Sequence, residues 1–354
     1  MPRNRALDVA KGIGICLVVL GHNQRLTKGI VGKEVVEAIF SFHMPLFFFI
    51  SGIFLKPTVP VCEFASSRGD ALLKPYFTVL GALGIFKICI GLPIPAIFGI
   101  PEPANYSLGV LYGTGPTIAW GALWFLPHLC ITSLAALLIL KATTRWPEAG
   151  RWLVAMFLLF LGTLGIDRFW SELPVQWGPL KLVRLPGLPW SVDLVPVTCA
   201  FVMFGYLLRS SIQSMRFHFP AFACSCVIFV GLHWQFDEFI DLNRRHFGSL
   251  SISMAQTVLG IYLTLAVANS LSTRSIARTL ESMGAGSLFI LIFHTPIQRK
   301  AADFTSSLLV NDLAGGIVGF FAGVAIPLLL WELARLRRRR EAKMPLRASD
   351  ATVG

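Results

Sequence analysis

The sequence predicts an all-α fold, a polytopic membrane helical bundle with about ten transmembrane helices, and three observations predict it. The 354-residue chain is 55% hydrophobic and only 14% charged, with a mean hydropathy of +0.67. That leaves too little polar sequence to surround several soluble cores. Apolar runs of spanning length recur near 7–27, 38–55, 75–96, 118–140, 152–168, 192–209, 218–236, 250–271, 285–299 and 313–335. A hydrocarbon layer of about 30 Å takes roughly 20 helical residues, and a helix satisfies its own backbone hydrogen bonds as lipid demands.

The third observation is where the charges fall. A net charge of +12 raises the question of a nucleic-acid partner, but the basic residues are spread along the chain and gather in alternate loops, so no nucleic acid is expected. With the N-terminus inside, cytoplasmic segments hold nineteen Lys and Arg, seven of them between Arg335 and Arg347, and the opposite side holds ten. Both termini are then cytoplasmic. The seven cysteines are scattered. Cys224 and Cys226, two apart on a helix, diverge by about 200° and form neither a redox pair nor a zinc knuckle.

The first run carries KGIGICLVVLGH, from Lys11 to His22. Eleven residues of helix rise about 16 Å and turn almost three times, so both side chains project from one face. Ionisable groups inside a bilayer are costly, which makes a functional reading the default. The run follows a basic start like a signal peptide, but no small-residue cleavage site follows it. Asp8, three residues before Lys11, has the spacing of a helical ion pair, or is a plain end-of-helix charge.

Residues 28–37 read as a short outer loop. Helix two, FSFHMPLFFFISGIFLK, tolerates Pro45 in its first turns and puts His43 in its outer half, at the depth of His22. Ser51 and Gly52 suit close helix packing. An inner loop, 56–74, precedes Lys74 and Pro75 at the start of helix three. The segment 97–117, rich in Gly and Pro, reads as an outer loop or re-entrant piece. Helix four brings Trp120, Trp124 and His128 toward the outside.

Asp167 and Arg168 at the end of helix five suit an interfacial pair, and Trp170, Trp177 and Trp190 in the loop 169–191 suit an interfacial belt or a sugar-stacking platform. Helix seven closes with His233, Asp237 and Glu238 near the outer face, and helix nine places His294 in its outer half. Helix ten runs into RLRRRREAK, a cytoplasmic stop that meets anionic membrane lipids. The bundle therefore occupies 1–340, and 341–354 is a short disordered cytoplasmic tail. Six of the seven histidines fall on the outer side. None has a partner at the spacing of a helical metal site, so no metal is expected.

The stretches LDVAKGIGICLVVLGHN, FHMPLFFFISG, LLKPY and WFLP, in that order, resemble the acyltransferase-3 family of integral-membrane acyltransferases. The likeness is to its fucose-4-O-acetylase-like branch of bacterial surface-polysaccharide O-acetyltransferases. The resemblance implies transfer of an acetyl group from cytoplasmic acetyl-CoA to a sugar hydroxyl of a surface polysaccharide or a lipid-linked oligosaccharide precursor, in the bacterial inner membrane. It also implies that His22 is the catalytic histidine and Lys11 its basic partner.

The residues themselves suit that chemistry. Acyl transfer needs a base, a stabilised oxyanion and an oriented thioester. His22 serves as general base or as nucleophile. Lys11 and inner-side cations such as Lys56, Arg68, Lys74, Arg145 or Arg151 offer charge to the donor, whose pantetheine arm would thread past Lys11 with Gly12 and Gly14 leaving room. His43 would orient His22 or the acceptor hydroxyl, and Trp124 and His294 would line the acceptor pocket or simply pack. A ten-helix transporter or flippase is the rival from another class, and succinyl-CoA is the nearest rival donor.

Overall fold

The computed structural model describes residues 4–91, 103–166, 175–177, 180–182 and 187–343. Most of the predicted runs fold as helices. These are α1 (Arg5–Gly21), α2 (Gly29–Phe40), α3 (His43–Ile53), α4 (Val61–Arg68), α5 (Lys74–Gly91), α6 (Pro103–Tyr112), α7 (Phe125–Ala142) and α8 (Glu148–Leu164). They continue as α9 (Val195–Leu207), α10 (Arg209–Gln213), α11 (Phe219–Phe236), α12 (Leu250–Leu271), α13 (Ala277–Ala285), α14 (Ser287–Leu309) and α15 (Asp312–Lys343). A small antiparallel hairpin, β1 (Val175–Trp177) with β2 (Leu180–Leu182), is the one sheet among the described residues.

Six of these helical stretches are long and apolar enough to cross a membrane, or seven if α13 and α14, bent by 84°, form one broken span. The first, third and fifth predicted runs fold as α1, α5 and α8. At 17 residues each, α1 and α8 stand at the short end of the roughly 17–25 residues that span a bilayer. They and α5 account for the difference from ten.

Three segments expected as loops are helical. Residues 28–37 fold largely as α2, which breaks at Ser41 and Phe42 before α3 begins. Residues 56–74 contain α4 and a π turn, Gly69–Leu73, that runs straight into α5. Within 97–117, Pro103 opens α6, which packs on α5 through Tyr106 Oη donating to the Leu80 carbonyl at 2.7 Å and Tyr76 Oη donating to the Val110 carbonyl at 2.6 Å. At the far end α15 stays helical to Lys343, past the expected boundary at 341. The expected pair Asp167 and Arg168, and Trp170, lie outside the described residues.

Close backbone approaches hold the bundle together. In α3, a Cβ on Gly52 would overlap the Val202 carbonyl of α9, and one on Gly205 of α9 would overlap the Phe49 carbonyl in return. The same reciprocity joins Gly12 of α1 to Leu280 of α13, and Gly284 of α13 to Asp8 of α1. In lipid, where apolar side chains gain little by leaving solvent, such small-residue contacts are the main adhesion between helices. The start of α1, α13 and the last part of α15 share one end of the bundle: Arg5 pairs with Glu281, and Ser282 Oγ donates to Glu332. Lys11 lies toward that end and His22 toward the other.

The Gly52 contact yields a direct expectation. Gly52→Val should destabilise the detergent-solubilised protein by about 2 kcal/mol or more, read as a lower melting temperature. Gly81→Val, at a position with no neighbouring atom within 4 Å, should leave the melting temperature nearly unchanged.

Candidate active site

The position of His22 is set by how α1 stops. His22 caps the helix and its N–H donates to the Val18 carbonyl at 3.1 Å. Next, the buried amide of Asn23 accepts from the N–H groups of Arg25 (3.3 Å) and Leu26 (3.1 Å), and its Nδ2 donates to the Gly316 carbonyl of α15 at 2.8 Å. These bonds satisfy the turn that a helix end leaves open. They also clamp it to α15, where Arg25 pairs with Asp312 and, at 2.9 Å, with Asp303 of α14.

The His22 ring is turned so that Nδ1 lies 2.8 Å from the same Val18 carbonyl. A carbonyl only accepts, so Nδ1 carries the hydrogen and the neutral ring keeps its lone pair on Nε2. His43 repeats the device with the Ile39 carbonyl at 3.0 Å, and His294 with those of Ile290 (3.0 Å) and Leu291 (2.9 Å). His294 is fully buried and meets His22 edge-on, ring centroids 5.3 Å apart, while its Nε2 accepts from Thr295 Oγ1 at 3.1 Å. Phe40 packs against both His22 (6.2 Å) and His43 (4.7 Å). No hydrogen bond joins these two imidazoles among the described residues.

His22, His43, Trp124 and Thr295 line one cavity of about 550 Å³. The expected convergence of His22 and His43 is thus present, with His294 directly beside His22 rather than on the cavity wall. Trp124 lines the cavity and stacks on His128 at 5.4 Å. The histidine beneath it is a packing group, its Nδ1 donating to the Trp190 carbonyl at 3.2 Å.

The opposite wall was not singled out by sequence. It is the loop 239–244, with Asp241, Asn243 and Arg244 on the cavity. The loop is held by Arg245, one of the ten cations that the charge count puts on the outer side, and it is fully buried. Its guanidinium bonds Asp193 Oδ2 at 2.9 Å, Ser191 Oγ at 3.1 Å and the Asn243 carbonyl at 3.0 Å. A buried arginine needs this many partners to offset its desolvation. Asp241 accepts from the Arg244 N–H at 3.1 Å and lines the same cavity as His22.

At the cavity rim Glu34, Glu37 and Asp237 are close enough to share a cation. The Lys33 ammonium already stands there, 3.4 Å from Glu37 and 3.7 Å from Asp237, and His233 lies 3.1 Å from Glu34. The cluster has the make-up of an ion-pair network.

A second cavity, of about 440 Å³, opens at the other end of α1. Lys11 lines it, 3.4 Å from Asp8 and 4.3 Å above the Phe54 ring, so the ion-pair reading of Asp8 is the observed one. Arg68 lines it as well, and burial pulls its pKa below the ordinary arginine value. The rest of the wall is mostly apolar. Met44 lines both cavities and stands between them. Lys74 does not line this cavity; it faces a neighbouring groove. Nor does Gly12 leave room for a ligand, since its open side is filled by the Leu280 backbone.

These features can be set beside known proteins. Nodulation protein NolL of Sinorhizobium fredii (strain NBRC 101917 / NGR234) is 24% identical over 251 residues, which cover 68% of this chain. The chain spans about 60% of that relative's length. An acyltransferase-domain profile matches residues 4–332, a stretch that contains both cavities and every site residue named above. The chain belongs to the acyltransferase-3 family of membrane acyltransferases.

Proposed function

We propose that this protein moves an acetyl group from acetyl-CoA to a sugar hydroxyl of a bacterial surface polysaccharide or its lipid-linked precursor. The observation that carries the reading is the pair of cavities meeting at Met44, with Lys11 in one, His22 in the other, and both residues on a single helix. The charge pattern favours the Lys11 end as the cytoplasmic one, in the inner membrane, with both termini on that side. The donor then comes from where acetyl-CoA is made. Lys11 and Arg68 would meet its anionic groups, and the apolar remainder of that cavity suits the pantetheine arm.

The His22 cavity has the make-up of a polyol site. Carboxylates (Glu37, Asp241), amides (Gln24, Asn243) and Thr27 offer donors and acceptors beside the flat faces of aromatic residues, which is how sugars are held. In the reaction the acceptor oxygen attacks the thioester carbonyl carbon as His22 Nε2 takes its proton. The tetrahedral intermediate collapses, the C–S bond breaks, and the proton passes to the departing CoA thiolate. Asp241 would bear part of the charge of the transient imidazolium, and His43 would orient the acceptor hydroxyl.

Acetate release from the surface polysaccharide of cells carrying wild type or variants tests the reading. His22→Ala should lower acetylation by roughly 10²–10⁴-fold, the usual contribution of a positioned base; undiminished acetylation overturns the assignment. Radiolabelled acetyl-CoA without acceptor should leave no label on purified protein, because His22 acts as a base; a stable label lost in His22→Ala would instead make it an acyl carrier. Asp241→Asn should slow turnover by about tenfold, one electrostatic contribution of about 1.4 kcal/mol, without raising the KM for acetyl-CoA. Lys11→Ala should raise that KM. Transport of a sugar carrier by purified protein in liposomes, without acetyl transfer, would replace the reading by a flippase.

A further inference from the structure

Beside the donor cavity lies a groove of about 1,020 Å³ between α5, α14 and α15 that the acyl-transfer reading does not use. Its chemistry is graded in the same direction on all three helices. On α5, Lys74 stands at the start of the helix and Thr78 and Val79 lie one turn deeper. On α14 the lining runs from Leu288 to Phe293, about 8 Å toward the level of His22, and is wholly apolar. On α15, which runs the opposite way, Trp331 is deeper and Arg335 nearer the end. The cations therefore gather at one end of the groove and the apolar floor continues inward from them.

Asp70 also lines that end, and Glu332 contacts Arg335 at 3.5 Å. Arg335 lies 5.2 Å from the Trp331 ring, an aromatic at the depth where such rings border a bilayer. The chain then continues through Arg337, Arg338, Arg339 and Arg340, so positive charge prevails beyond the rim. Exposed apolar side chains of α15, Leu329, Leu330 and Leu333, lie alongside and mark a lipid-facing surface.

A cationic mouth over an apolar slot that reaches about half of the ~15 Å depth of one leaflet matches one kind of occupant. We infer that the groove binds an anionic phospholipid, its phosphate held by Lys74 and Arg335 and the upper part of its acyl chains laid along Leu288, Phe289 and Phe293. Ala71, Ala285 and Leu288 line both this groove and the Lys11 cavity. The lipid thus forms the outer layer of a wall that closes the donor cavity on its membrane side, and the π turn Gly69–Leu73 brings Ala71 to that wall.

Native mass spectrometry of the purified full chain, titrated with phosphatidylglycerol or phosphatidylcholine of matched chains, tests the site without any turnover. Wild type should retain one phosphatidylglycerol in preference to phosphatidylcholine. A Lys74→Gln, Arg335→Gln double variant should lose that preference, by about 25-fold at about fivefold for each cation near an anionic surface. Thr78→Trp, which fills the groove from an exposed position and keeps both charges, should lose the bound lipid while the melting temperature holds. Equal retention of the two lipids by wild type, or an unchanged preference in the variants, overturns the inference. Loss of acetyl transfer in His22→Ala has no bearing on these binding readouts, so the two readings fail separately.

Discussion

The carbonyl of Val18 is the acceptor on which the site depends. It receives both the backbone N–H of His22 and the Nδ1–H of the same residue. A carbonyl oxygen has two lone pairs, so the one that closes the last turn of α1 also fixes the tautomer of a histidine. The His22 ring therefore needs no separate carboxylate to hold it. Its orientation is set by the helix end, and the helix end is set by Asn23 clamped to α15. A small change in where α1 stops would move the Nε2 lone pair and the cavity wall together.

The same economy of means appears in His43, whose Nδ1 shares the Ile39 carbonyl with the Phe42 N–H (3.3 Å) where α2 breaks before α3. A break in the middle of an apolar run is costly in lipid unless the freed groups find partners. The freed Ser41 carbonyl accepts from Thr257 Oγ1 of α12 at 2.7 Å, and Ser41 Oγ turns back to the Ala38 carbonyl at 2.8 Å. These bonds replace part of what the kink removes from the helix ladder. The kink is also what lets the His43 imidazole reach the cavity of His22.

Much of this was legible in the sequence, and the reasons for the exceptions are physical. Lys11 and His22 stood out because an apolar helix has few other ionisable groups, and the 3.6-residue repeat placed them on one face. The helices α2, α4 and α6 did not stand out because they are short and partly polar; segments of that length owe their helicity to packing rather than to their own propensity. Arg245 looked like a loop cation because its partner Asp193 is 52 positions away. Asp241 and Asn243 escaped notice for the same reason: a loop becomes a cavity wall only when a distant buried pair folds it there. Lys74 was grouped with Lys11 by sequence as a donor contact, yet the wall of Ala71 and Leu288 separates them.

Helix packing and site geometry converge on α3. Its carbonyl-to-glycine contacts with α9 leave no slack between the two backbones, since a single added carbon at Gly52 or Gly205 would overlap main chain. Just over two turns from Gly52 on the same helix stand Met44, which borders both cavities, and His43, which lines the cavity of His22. Met44 is unbranched and can change rotamer at small cost, whereas the backbone that carries it cannot shift. On the proposed function, a rigid helix bearing one flexible side chain at the meeting point would let a thioester reach His22, and the tight packing of α3 against α9 would in that sense be part of the active site.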